Sequence, residues 1–216
     1  MMNNILVDKD IFKIIDSDTF FDITNNSNLT LYITNKNVCL SFKVNKNISS
    51  CVNIFNVDSD IKINIDVLDN GNINFVNSVI NNRDLDIVLD INHSKDSTSD
   101  IVNHGLNIND GNMKFIINGV VKKGMTNTKL IQDNKIINLN DGVSLIEPNL
   151  LIDEFDTNAN HSAYISKYSK EEIFYLQSRG ISQKEGFRLL TKSFLLGKMT
   201  LEDEIKSMFT EEIYKI

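Results

Sequence analysis

Along residues 61–68 the chain reads IKINIDVL, with Ile61, Ile63, Ile65 and Val67 apolar and Lys62, Asn64 and Asp66 polar between them. The same alternation returns in LDIVLDI (85–91), KFIINGVV (114–121) and SLIEPNLLI (144–152), and NGNINFV resumes it after the Asp69-Asn70-Gly71 turn. An apolar residue at every second position, bounded by Asn, Asp and Gly, predicts half-buried β-strands. The strands follow one another at roughly ten-residue spacing, with no amphipathic helix between them. That excludes a doubly wound α/β fold, whose parallel strands need intervening helices. A sandwich, a barrel and a β-solenoid remain.

Asparagine changes the balance among these. Almost every Asn precedes residue 150, and only Asn158 and Asn160 follow it. Asn tolerates the left-handed backbone of tight corners, and stacked Asn side chains can hydrogen-bond from one coil to the next. An irregular β-helix is favoured, although no rigid repeat shows. Five or six coils stacked at about 4.8 Å would make a rod roughly 25–30 Å long, with open strand edges that invite another chain.

After about residue 166 the signals switch to helix. Ser169 with Glu172 is a capping box, and Gly180 can end that helix in the left-handed conformation. Ser182 with Glu185 repeats the box, and Thr200 with Asp203 predicts the start of a third helix. Phe187, Leu190 and Phe194 share one helical face. The expected division is a β-helix core over residues 1–165 and a helical lobe over 166–216.

Composition narrows the function. The chain has 216 residues and a formal net charge of −7, with Lys122 and Lys123 as the nearest thing to a basic cluster among the strands. A phosphate-backbone footprint needs far more clustered Lys and Arg, so nucleic acid is not the expected partner. No apolar run reaches membrane-spanning length and MMNNILVDKD has no signal-peptide character, so a cytoplasmic protein is expected. Cys39 and Cys51 are too few and too loosely spaced for a disulfide framework or zinc knuckle, and read as small core residues. Nucleophile-elbow, P-loop, dinucleotide and zinc-protease signatures are absent, so no enzyme is expected. His93 and His104 fall in strand-like runs and read as structural or surface residues. His161 stands at the change from strands to helices with Asp153, Glu154 and Asp156 upstream. An imidazole near carboxylates can bind a transition metal or relay protons, which makes His161 the candidate metal residue.

Around it lies PNLLIDEFDTNANHSAYISKYSKEEIFYLQSRGIS. Pro148, Leu150 and Ile152, then Asp156, Ala159, His161 and Ala163, then the unbroken run from Phe174 to Leu176 and Ser178 to Ile181, resemble the C-terminal signature of the SufB/SufD family. These are scaffold subunits of the Suf iron–sulfur assembly machinery. Upstream, the His93–Gly105 segment, FIINGVV (115–121), Gly124, Thr128 and Gln132 are similar to the same family. The resemblance implies an all-β right-handed parallel β-helix with a small C-terminal α-helical lobe. It implies a scaffold with no stably bound cofactor, at most a transient iron–sulfur cluster at a subunit interface. It implies a SufC-type ATPase on the lobe and a SufB-type subunit or a second copy along the β-helix, with no nucleic acid or membrane. Carried over by position, the family's SufD histidine is His161. The SufB scaffold cysteine would fall near Asp133, and neither Cys39 nor Cys51 aligns with it, so the chain is SufD-like. Two departures stand: Ser162 follows His161 where the family has Gly or Glu, and the chain is shorter than ordinary SufD. Phe174, Tyr175, Arg179 and Gly180 are the expected partner-binding residues, aromatics beside an arginine being the composition of interface hot spots. The competing reading is a β-solenoid interaction module with no role in cluster chemistry, and an acidic polysaccharide enzyme is a distant third.

Overall fold

The alternation at 61–67 sends Ile61, Ile63, Ile65 and Val67 into the core, each at most 2% exposed, and turns Lys62, Asn64 and Asp66 to the other face. A computed structural model describes residues 2–216. One sheet runs β1 (Asn3–Val7), β3 (Thr19–Ile23), β5 (Val38–Val44), β7 (Ile61–Val67), β9 (Leu85–His93), β11 (Met113–Val121) and β13 (Ser144–Ile152). The other runs β2 (Ile11–Ile15), β4 (Ser27–Thr34), β6 (Ser49–Val57), β8 (Asn72–Asn81), β10 (Thr98–Asn107), β12 (Thr128–Asn138) and β14 (Thr157–Ser166). Neighbouring strands are parallel throughout, and consecutive strands alternate between the sheets. The result is a two-walled, β-helix-like solenoid of seven coils. Inward Ile, Leu, Val and Phe fill the space between the walls, with Phe21 and Phe42 stacked at 5.0 Å and Phe75 edge-on to Phe42 at 6.1 Å.

The coils are not equal. Asn3 pairs with Thr19, a step of 16 residues, Lys43 with Asp66 (23), Asp66 with Asn92 (26), Asp90 with Asn118 (28) and Asn118 with Asn149 (31). Steps that grow along this sheet from 16 to 31 residues leave no constant period in the sequence.

Corners explain the asparagines. Asn35, Asn47, Asp58, Asn70, Asp96 and Asn127 all have positive φ, between 52° and 61°. Asx side chains tolerate this conformation and can bond locally, which most side chains cannot. The corners also stack: Asn70 Nδ2 donates to Asn47 Oδ1 at 3.1 Å, and Asn127 Nδ2 to Asp96 Oδ1 at 2.7 Å. Aspartates accept backbone N–H groups from the coil above, as Asp18 does from Cys39 (2.8 Å) and Asp60 from Asp86 (2.9 Å).

Three helices follow: α1 (Lys170–Ser178), α2 (Gln183–Leu196) and α3 (Asp203–Tyr214). Ser169 and Glu172 form both bonds of the capping box, Ser182 Oγ accepts from the Glu185 N–H, and Gly180 has φ +82°. The third helix differs from expectation: Glu202 is its N-cap and makes no side-chain cap bond. Thr200 is committed elsewhere, its N–H donating to Asn53 Oδ1 (3.2 Å) and its carbonyl accepting from Asn28 and Asn53 Nδ2 (3.0 Å each). Asp203 and Glu204 in the first turn favour the helix through its dipole instead.

These bonds belong to a long seam. The lobe lies along the flank of the solenoid, where Phe55, Ile80 and Leu106 on the outer face of the second sheet meet Leu195, Phe209 and Ile213. The last carbonyls of α2, which have no partners within the helix, are received by the wall: Ser78 Oγ donates to Leu195 O at 2.6 Å and His104 Nδ1 to Phe194 O at 2.7 Å. His104 also stacks on Phe194 at 4.5 Å. The two cysteines depart from expectation. Both are only half-buried and sit on outward faces, Cys51 within 3.8 Å of Asn53 Nδ2, where burial still pushes its thiol up. Among the described residues no helix is long and apolar enough to cross a membrane.

Candidate partner-docking site

The final coil has a wall below it and none above. β13 and β14 are nine and ten residues long, each paired on one side only, and Leu145, Leu151, Tyr164 and Ile165 are exposed on them. Edge strands of this length with apolar side chains are templates for another chain. Strands β1 and β2 at the opposite end are five residues each.

His161 lies on β14, in register with Gln132 of β12. Ala159, two residues earlier, packs against the solenoid core, so strand alternation turns His161 to the inward side at the mouth of the bore. It is exposed because no further coil covers it. On the outer side, Ser162 Oγ donates to Asp133 Oδ1 at 2.9 Å, so the serine after His161 is tied to the aspartate near which the family resemblance would place the SufB cysteine.

The upstream carboxylates do not converge on the imidazole. Glu154 Oε2 accepts from the Gly124 N–H at 2.8 Å and Oε1 from the Phe155 N–H at 2.9 Å, bonds that hold its carboxyl below the usual range. Asp156 Oδ2 accepts from the Asn127 N–H at 3.0 Å. Among the described residues no group of three or more His, Cys, Asp or Glu is placed to hold a metal ion. A transition metal takes about four ligands, so a centre built on His161 requires ligands from outside this chain. The same corner presents Phe155, whose side chain stands fully in solvent on a turn fixed by Glu154. Sequence reasoning passed over it; an aromatic set among Asp153, Glu154 and Asp156 at a corner was the available signal.

The remaining candidates gather on α1. Ile173 is its buried residue, while Phe174 and Tyr175 are 73% and 57% exposed. The Arg179 guanidinium lies over the Tyr175 ring, 5.4 Å from its centroid. Gly180 is required by its backbone and not by crowding, since a Cβ there would meet nothing within 4 Å. Beside α1 runs an apolar groove lined by Leu139, Tyr168, Ile173, Phe174 and Phe187. The Tyr168 hydroxyl bonds Thr191 at 2.9 Å, and burial pushes it up to about 12. Thus the candidates divide between two places, His161 on the edge strand, and Phe174 and Tyr175 on the first helix with Arg179 at its C-cap.

The family profile described as "SUF system FeS cluster assembly, SufBD core domain" matches residues 62–194, well over half of the chain. The chain belongs to the SufBD family. In this SufBD chain the matched span runs from β7 into α2 and takes in the edge strands, His161 and α1. The iron–sulfur cluster assembly protein SufD of Bacillus subtilis is 30% identical over 106 residues, 49% of this chain and 24% of that protein. Iron–sulfur cluster assembly SufBD family proteins of Staphylococcus haemolyticus and Staphylococcus epidermidis are 30% identical over 108 residues, 49% of this chain and 23% of theirs. The matched stretch therefore spans about a quarter of these relatives.

Proposed function

We propose that the chain is a SufD-like scaffold subunit of an iron–sulfur assembly complex. It pairs through β13 and β14 with a SufB-type subunit or a second copy, and docks a SufC-type ABC ATPase through α1 and the adjoining groove. The observation that carries this reading is one chain presenting an uncovered two-strand edge with a lone histidine and a helix with an aromatic–arginine face. The family match spans both.

Each part follows from its chemistry. Backbone groups along the edge give affinity to an added strand, and Leu145, Leu151, Tyr164 and Ile165 supply apolar contact. Phe155 on its fixed corner enters a partner without losing much conformational freedom. His161 contributes one imidazole to a shared interface, as a single ligand or proton donor to an iron–sulfur cluster handled there as cargo, and the partner supplies the remaining ligands. The chain itself performs no bond-making step in this scheme. On the helix, Phe174 and Tyr175 supply area and Arg179 a directional charge.

The test is co-purification with the SufC-type ATPase of the same organism, with and without Arg179→Glu. A stable complex that the substitution abolishes supports the reading. Absence of a complex at micromolar concentration would leave a solenoid that serves some other partner, without cluster chemistry.

A further inference from the structure

The solenoid bore is lined by apolar side chains in its early coils and takes buried amides among them in its later ones. Asn77, Asn103 and Asn134, on the inward faces of β8, β10 and β12, are stacked in register and fully buried. Gln132, 1% exposed, is the neighbouring inward residue on β12. Its amide reaches the opposite wall, where a Cβ on Gly119 of β11 would stand 2.9 Å from Gln132 Nε2. The column ends below on Ile54, the register partner of Asn77, and above on Ala163 of the edge strand.

The upper rungs of this ladder are bonded. Asn103 Nδ2 donates to Asn134 Oδ1 at 2.8 Å, and Asn134 Nδ2 to the Ser162 carbonyl at 3.0 Å. The lower rung is broken. Among the described residues neither amide atom of Asn77 has a partner, nor does Asn103 Oδ1, nor either amide atom of Gln132. Buried polar atoms are almost always hydrogen-bonded, because one left bare forfeits its hydration and receives nothing. These five are of both kinds, with Asn77 Nδ2 and Gln132 Nε2 as donors and three oxygens as acceptors. A cation would satisfy only the oxygens, and an anion only the N–H groups. Water satisfies both.

We infer that the bore binds ordered water between Asn77, Asn103 and Gln132, in a pocket closed below by Ile54 that exits past the row of Gln132 and His161. Covering β13 and β14, as in the reading above, closes that exit with the water inside. The inference itself does not depend on that pairing.

The experiment is water-selective NMR on the labelled full chain, reading cross-peaks between water and the side-chain NH2 groups of Asn77 and Gln132. Long-lived water gives cross-peaks at both. Their absence, or a direct Asn77-to-Asn103 amide bond, overturns the inference. A Gln132→Met variant adds an independent sign. In a hydrated bore the thioether displaces bound water that it cannot replace as a hydrogen-bond partner, and Tm falls. In a dry bore it removes an unpartnered amide, and a rise in Tm overturns the inference. If that variant does not fold, the cross-peaks of the unsubstituted chain decide alone.

Discussion

Phe209 of α3 lies flat on Phe55 of β6, with ring centroids 4.3 Å apart and planes inclined by 11°. Both rings are fully buried, and Phe209 also meets Tyr32 of β4 at 5.7 Å and Phe12 of β2 at 6.5 Å. One side chain of the last helix thus touches three early coils. Removing a buried phenyl group costs about 3–5 kcal/mol. Phe209→Ala should lose a comparable amount in urea unfolding, with faster amide exchange across α3. A loss under about 1 kcal/mol, the range typical of surface changes, would mean the helix is not anchored there.

Asn70 holds a corner at φ 55° and donates to Asn47 across the coil stack. Alanine meets the steric penalty of that conformation and loses the bond, whereas glycine loses only the bond. Asn70→Ala should therefore destabilise by about 1–2 kcal/mol, and Asn70→Gly by clearly less. Equal losses in chemical denaturation would place the cost in the side-chain bond alone.

His93 gives the fold an acid sensitivity. Ser97 Oγ donates to the Ser94 carbonyl at 2.7 Å, so it accepts from His93 Nδ1–H at 2.7 Å, and Ser99 Oγ donates to Nε2 at 2.9 Å. The ring is neutral in this network, and burial lowers its pKa from 6.5 to about 4. The unfolded chain takes up the proton first, so the contribution is complete above pH 6.5 and is lost as pH falls toward 4, roughly 3 kcal/mol in all. Burial lowers the His104 value too, which adds to the slope in the same direction. Comparing urea unfolding at pH 7.5 and 4.5, His93→Gln should lose less stability on acidification than the unsubstituted chain. An unchanged difference would show that the imidazole is not the source.

Phe155 separates stability from association. Its side chain touches solvent alone, so Phe155→Ala should leave Tm within the small range of surface substitutions. The same change should weaken pairing through the last coil, seen as a higher dissociation constant in sedimentation. A large fall in Tm with unchanged association would remove Phe155 from the interface.

Four of the five legible strands share a wall. IKINIDVL, LDIVLDI, KFIINGVV and SLIEPNLLI are all in the odd-numbered sheet, whose outer face is not covered by the helices and therefore alternates. β8 and β10 carry buried residues on both faces, because α2 and α3 cover the outer one, so the alternation that opens β8 in NGNINFV is lost beyond Phe75. No strand before residue 61 stands out in the pattern above, and seven coils exist where five or six are expected. Corner asparagines and the Ser169 box were readable because each acts within a few residues. Thr200 misled because its partners, Asn28 and Asn53, are distant in sequence. His161 stood out by its place beside carboxylates and by resemblance, whereas its inward setting at an uncovered edge came from strand register.

The lengthening of the coils gives the solenoid a taper, from a 16-residue step at one rim to 31 at the other. Its mouths do not match. Stacked head to tail, five-residue β1 and β2 would meet nine- and ten-residue β13 and β14, leaving backbone groups on the wider rim without partners. Rims of equal width meet only when like mouths face each other, wide to wide or narrow to narrow, and a two-fold contact of that kind closes on itself. The taper favours a mouth-to-mouth pair over a head-to-tail filament.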